Sequence, residues 1–92
     1  MNKNFSAISY IEWMPEKNKI AGEFGTVLRT YRLAKNMTQE QLSEQLGIVR
    51  SYICTLENGK RQPSLTMIFR LAAALGVKPG ELMDAVTARL KK

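Results

Sequence analysis

The sequence predicts an all-α fold, a compact domain of five helices. Apolar residues recur three and four positions apart over most of the chain, which is the period of a helix with one buried face. These runs are bounded by residues that begin or end helices, such as Thr38 before one run and Gly47 after it. A chain of 92 residues with 45% hydrophobic composition suits one domain with a modest core.

The first helix is predicted from about residue 22 or 23 to residue 35. Phe24, Leu28 and Tyr31 form its apolar stripe at helical spacing. Asn36 is expected to end it, because asparagine is second only to glycine in adopting the left-handed conformation.

Residues 1–21 are expected to form an N-terminal extension before a domain over residues 22–92. The segment is too apolar for a typical disordered tail, and Pro15 with a polar run separates it from the first helix. Its pattern favours neither strand nor helix. Two interpretations stay open, a flap over the domain's own core and a contact with a partner. The apolar residues concerned are Phe5, Ile8, Tyr10, Ile11, Trp13 and Met14.

Residues 38–58 predict two short helices joined by a tight turn. Thr38 and Gln41 have the spacing of a capping box, which begins a helix. Gly47 ends that helix, and the small Ser43 lets the two backbones approach closely. The helices are expected over about 39–46 and 50–58. Together they make a helix-turn-helix, whose second helix can enter a DNA major groove.

Two further helices complete the domain. Pro63 and the cap Ser64 begin the fourth helix, and Gly76 ends it. Pro79 begins the fifth, since proline at the first helical position loses no needed hydrogen bond, and the helix is expected to reach Leu90. The residues expected to face inward from the fourth helix are Leu65, Ile68, Leu71, Ala72 and Leu75.

Over about residues 22–83 the chain resembles the phage repressor/Cro-like, or XRE, family of helix-turn-helix regulators. The motifs are TQEQL, the LGI turn, the LENGKRQPS run and the LAAALGVKPGEL helix pair. The resemblance implies a lambda-repressor-like domain that regulates transcription as a homodimer on a palindromic operator in double-stranded DNA. Restriction–modification controllers and antitoxin-type autoregulators are similar, and a protein-interaction adaptor without DNA binding is the alternative from another class.

Composition agrees with a DNA partner and argues against an enzyme. The chain has 14 Lys and Arg against 8 Asp and Glu, a formal charge of +6 that favours a polyanion. One cysteine and no histidine leave no internal disulfide, zinc site or Cys–His nucleophile. No apolar run approaches the ~20 residues that span a bilayer. We therefore expect a cytoplasmic, nucleoid-associated protein without metal, cofactor or small-molecule ligand.

The start of the third helix is expected to read bases. Arg50 suits guanine O6 and N7, although a phosphate contact is an equal alternative. Ser51 and Thr55 lie one turn apart on the outer face. Val49 stands where the family usually has a hydroxyl or acidic cap, and its methyls suit a thymine.

Phosphate contacts are expected on either side of that helix. Gln39, at the start of the second helix, can present its amide and nearby backbone N–H groups to an anion. The resemblance implies that Gln39 and Asn58 clamp the DNA backbone. The full phosphate set is Gln39, Tyr52, Asn58, Lys60 and Arg61. For Cys54, a buried thiol and a small group at the DNA surface both stay open, with a redox sensor as a third alternative.

Two further assignments concern assembly. The resemblance implies a semi-buried ion pair between Arg32 and Glu57 that joins the first and third helices. The expected dimer surface is the fifth helix, through Met83, Val86 and Leu90, because its apolar pattern continues past the point that one small domain could cover. The alternative is a solvated C-terminus.

Overall fold

The structure is a computed structural model, and it describes residues 15–91. These residues form five helices and no strand. The helices are α1 (Lys17–Ala34), α2 (Gln39–Leu46), α3 (Arg50–Glu57), α4 (Leu65–Leu75) and α5 (Pro79–Leu90). The predicted all-α, five-helix class is confirmed.

The start of α1 differs from the prediction. The helix begins at Lys17, five residues before the expected start at residue 22, so residues 17–21 belong to it and Ala21 is buried in the core. Glu16 precedes the helix with extended backbone and makes no side-chain cap hydrogen bond. The sequence therefore carries no capping signal at this end. The interpretations of Phe5 to Met14 lie outside the described residues.

The helix-turn-helix begins and turns as predicted. The Thr38 hydroxyl accepts a hydrogen bond from the Gln41 backbone N–H at 3.0 Å, and the Gln41 side-chain oxygen accepts one from the Thr38 N–H at 2.8 Å. Gly47 has a φ of 70°, and Asn36, after α1, has a φ of 58°. Helix α3 ends one residue earlier than expected, with Asn58 as its C-cap.

All five helices contribute to one core. Its largest fully buried side chains are Leu28, Leu42, Ile53, Leu56, Leu71, Leu75 and Leu82. Each helix therefore presents one apolar face inward, as the helical spacing predicted. Burying these faces together supplies most of the favourable free energy of folding, because short helices are marginal alone.

Helices α1 and α3 approach each other closely at Gly25. A Cβ atom at this position would lie 2.5 Å from the Leu56 carbonyl oxygen and 2.6 Å from that of Glu57. Only the absence of a side chain allows the α1 backbone to lie against the last turn of α3. Nothing in the sequence marks Gly25 for this role, because the close approach depends on how α1 packs against α3.

The predicted inward position of Leu65 is wrong. Leu65 is 72% exposed, whereas Leu71, Ala72 and Leu75 of the same helix are buried. The physical reason is helical phase: Leu65 is the first residue of α4 and lies beyond the edge of the face that those three residues define.

The predicted exposure of Val86 is also wrong. Val86 is 5% exposed and belongs to the core, while Met83 and Leu90 are partly buried against it. The early start of α1 explains the difference, because Ile20 and Phe24 line one small apolar cleft with Met83 and Val86. The first turns of α1 thus cover the side of α5 that was expected to need a partner.

Polar contacts also join α1 to α5. The Arg89 Nε donates to Glu23 Oε1 at 2.6 Å, and this hydrogen bond lowers the pKa of Glu23 below its usual value. The Tyr31 hydroxyl donates to Glu81 at 3.1 Å. Within residues 15–91, no helix is long and apolar enough to cross a membrane.

Candidate nucleic-acid interface

The four residues expected to read bases lie together at the outer side of α3. Arg50 and Ser51 are exposed in its first turn, and Val49 just before it is 67% exposed. Thr55 is partly buried, and its hydroxyl donates to the Ser51 carbonyl at 2.7 Å. Among residues 15–91, the Arg50 and Ser51 side chains are fixed by no hydrogen bond.

The loop after α3 carries positive charge beside this face. Lys60 and Arg61 are both exposed. The Arg61 guanidinium lies 5.7 Å from the centre of the Tyr52 ring, within the range of a cation–π interaction. This contact holds the two side chains at the same edge of α3. Tyr52 and Arg61 are predicted separately as contacts to the DNA backbone, and the contact between the two side chains is not evident from the sequence.

A cleft next to this loop adds charge from α1. It has a volume of about 240 Å³, and Lys17, Lys60 and Arg61 are among the residues that line it. The Gln62 side-chain amide donates to the Lys17 carbonyl at 3.3 Å and so joins the loop to the first turn of α1. The sequence predicts Lys17 as part of the N-terminal extension. It lines this cleft because it is the first residue of α1.

Glu57 and Arg32 form the expected ion pair between α1 and α3. The Arg32 Nε donates to Glu57 Oε2 at 2.6 Å, and its Nη2 donates to Oε1 at 2.9 Å. The two side chains are 8% and 2% exposed. The hydrogen bond to Glu57 raises the pKa of Arg32 above its usual value, so the guanidinium stays charged.

The same ion pair reaches the start of α2. The Gln39 amide nitrogen donates to Glu57 Oε1 at 3.0 Å, and the Arg32 Nη1 donates to the Met37 carbonyl at 2.7 Å. One N–H of Gln39 is thus held by the protein, and its second N–H is left to donate elsewhere. The hydrogen bond between Gln39 and Glu57 is not evident from the sequence.

Asn58 and Cys54 lie at the other end of α3. Asn58 is exposed, and its amide nitrogen lies 3.5 Å from the Cys54 sulfur. Cys54 is a free cysteine. It is partly buried, so its exposure lies between that of a buried thiol and that of a group at the DNA surface. The described residues contain no group of three or more metal-ligating side chains.

Comparison with known proteins identifies the family. The helix-turn-helix family model matches residues 28–82. Control protein C.BamHI of Bacillus amyloliquefaciens is 42% identical over 71 residues, which is 76% of this chain and 88% of that protein. A hypothetical transcription factor of Neisseria meningitidis is 31% identical over 78 residues, covering 85% of this chain and 74% of the relative.

A solved structure supports the same family assignment. The restriction–modification controller protein C.AhdI of Aeromonas hydrophila is 44% identical, with a TM-score of 0.65 over 67% of this chain and 94% of that one. The fold and the exposed face of α3 define a DNA-binding transcription regulator. The chain belongs to the helix-turn-helix family, in its XRE branch.

Proposed function

We propose that this regulator binds an inverted-repeat operator as a homodimer and reads bases with the first turn of α3. The observation that carries the proposal is the exposure of Arg50 and Ser51 at the start of that helix, with amide and basic side chains on both sides. One domain of this size offers few base and phosphate contacts. Two copies on two half-sites supply the usual specific affinity.

In this proposal the residues of the first turn of α3 choose the sequence. Arg50 donates two hydrogen bonds to a guanine edge, and Ser51 and Thr55 contact neighbouring bases. Val49 places its methyls against a thymine. Its high exposure supports this role, because a residue that served only the fold would gain from burying those methyls.

The flanking residues fix position and affinity. Gln39 donates its free N–H to a phosphate at the positive end of α2, while its other N–H stays on Glu57. Asn58, Lys60 and Arg61 contact the phosphates at the other end of α3, with Tyr52 beside them. Such contacts carry little sequence information.

We further propose that the operator controls a restriction–modification system. The support is the likeness to the controllers C.BamHI and C.AhdI over most of the length of each. A regulator bound to genomic DNA works in the cytoplasm at the nucleoid, and none of the roles proposed for these residues requires catalysis or a cofactor.

Selection of binding sites from a random DNA pool tests these roles. Arg50→Ala and Ser51→Ala should each relax the selected motif at one or two positions per half-site, with a loss of roughly 1–3 kcal/mol per bidentate contact. The matched controls Gln39→Ala and Asn58→Ala should weaken all sequences about equally and keep the motif.

Three outcomes would contradict the proposal at different points. If Arg50→Ala weakens binding without changing the motif, Arg50 is a phosphate contact. If the selected motif has no two-fold symmetry, the homodimer on a palindrome is wrong. If the motif is absent upstream of restriction and modification genes in the source genome, the controller assignment fails while DNA binding stands.

A further inference from the structure

Helix α4 presents an apolar stripe to solvent. Leu65 is 72% exposed and Phe69 is 57% exposed, and the exposed Ala73 follows four residues later. Residues four apart lie on one helical face, so the three form a continuous row. Contiguous apolar surface of this kind typically marks an interaction site in a small protein.

The charge around the stripe favours a second copy of this chain as the partner. The chain carries a formal charge of +6, so two copies repel each other, and an uncharged contact surface adds no further repulsion at the interface. Helix α4 contains one charged residue in 11, Arg70. The Arg70 guanidinium is turned onto the Leu46 carbonyl at the end of α2. The stripe itself is neutral.

The sizes of the three side chains make the stripe complementary to itself. Two antiparallel α4 helices related by a two-fold axis at Phe69 would place Phe69 against its own copy. Leu65 of each copy would then lie opposite Ala73 of the other, a large residue against a small one. An isologous interface needs this kind of self-matching.

We propose that α4 forms the homodimer interface through Leu65, Phe69 and Ala73. This inference rests on the proposed homodimer and names its surface. The alternative on α5 is weaker, because Val86 is buried within the chain and Leu90 stands beside Arg89 and Lys91. The α4 stripe also leaves the exposed first turn of α3 free for DNA.

Sedimentation over a range of concentrations tests the interface. The double variant Leu65→Glu with Phe69→Glu should raise the dimer dissociation constant at least about 100-fold, because it buries carboxylates without partners. Leu33→Glu is the matched control: Leu33 is 53% exposed on α1, and its substitution should leave the dimer intact. All variants should keep their helical circular dichroism, since the changed positions are exposed.

Cross-linking supplies a positive test. With Cys54→Ser as background, Phe69→Cys should form an intermolecular disulfide on mild oxidation, because the two-fold axis brings position 69 of both copies together. Leu33→Cys in the same background should not. A reducible dimer band for position 69 alone supports the α4 interface.

The outcomes separate this inference from the proposed function. A dimeric parent whose α4 double variant stays dimeric, with no cross-link at position 69, overturns the α4 interface and leaves the homodimer standing. A parent that is monomeric at all concentrations, even with operator DNA, overturns both.

Discussion

Glu57 accepts hydrogen bonds from two side chains that have different tasks. Arg32 holds α1 against α3, whereas Gln39 begins α2 and is proposed to contact DNA. One carboxylate therefore links the packing of the core to the position of an amide that is proposed to bind DNA. Neither task can be changed at this residue without affecting the other.

Substitution of Glu57 should be costly for stability. Glu57→Ala leaves the Arg32 guanidinium buried without its partner, and we expect the free energy of unfolding to fall by about 3–5 kcal/mol. Urea denaturation measures it. Glu44→Ala, at an exposed position of α2, should change it by less than about 0.5 kcal/mol. Equal midpoints for the two variants would show that the ion pair contributes nothing to folding.

The sequence predicted part of this network. Arg32 and Glu57 were paired through the family resemblance, and the structure places them 2.6 Å apart. The hydrogen bond from Gln39 could not be predicted in the same way, because it depends on the angle at which α2 lies against α3. The contact of Arg61 with Tyr52 likewise depends on the path of a loop.

Among the helices, the close contact between α1 and α3 depends on the lack of a side chain at Gly25. Gly25→Ala would force the helices apart, since its Cβ would overlap two carbonyl oxygens, and we expect a loss of about 1–3 kcal/mol. Gly22→Ala is the matched control on the same helix, where a Cβ meets nothing within 4 Å. It should stabilise the protein by up to about 1 kcal/mol.

Thermal or urea unfolding of both glycine variants checks this contrast. Opposite signs for the two substitutions are the expected result. A stabilised Gly25→Ala would mean that α1 and α3 lie farther apart than described.

Helix bounds were predictable where local signals exist. Thr38, Gln41 and Gly47 mark α2 in the sequence itself, and its bounds agree with the structure. The start of α1 has no such signal. Contacts distant in sequence, such as that of Gln62 with the Lys17 carbonyl, accompany its first turn. Val86 was therefore expected to be exposed, because the first turn of α1, which covers it, is not evident as a helix in the sequence.

For the whole molecule, charge should control DNA affinity. Each phosphate neutralised by Lys or Arg contributes about −0.9 to the slope of log K against log salt, so Lys60 and Arg61 of two copies alone give about −3.6. Filter binding or fluorescence anisotropy between low and physiological salt measures the slope. Lys60→Ala with Arg61→Ala should flatten it, and Lys78→Ala, before α5, should not. A parent slope near zero would contradict phosphate binding altogether.

The proposed separation between the residues that read bases and those that hold the fold has an evolutionary consequence. Val49, Arg50 and Ser51 are exposed, whereas Arg32 and Glu57 hold the frame beneath them. Substitutions at the first three positions can therefore accumulate with little loss of stability. A duplicated gene would acquire a new operator through a few such changes, and two regulators with the same scaffold could then work in one cell without cross-talk.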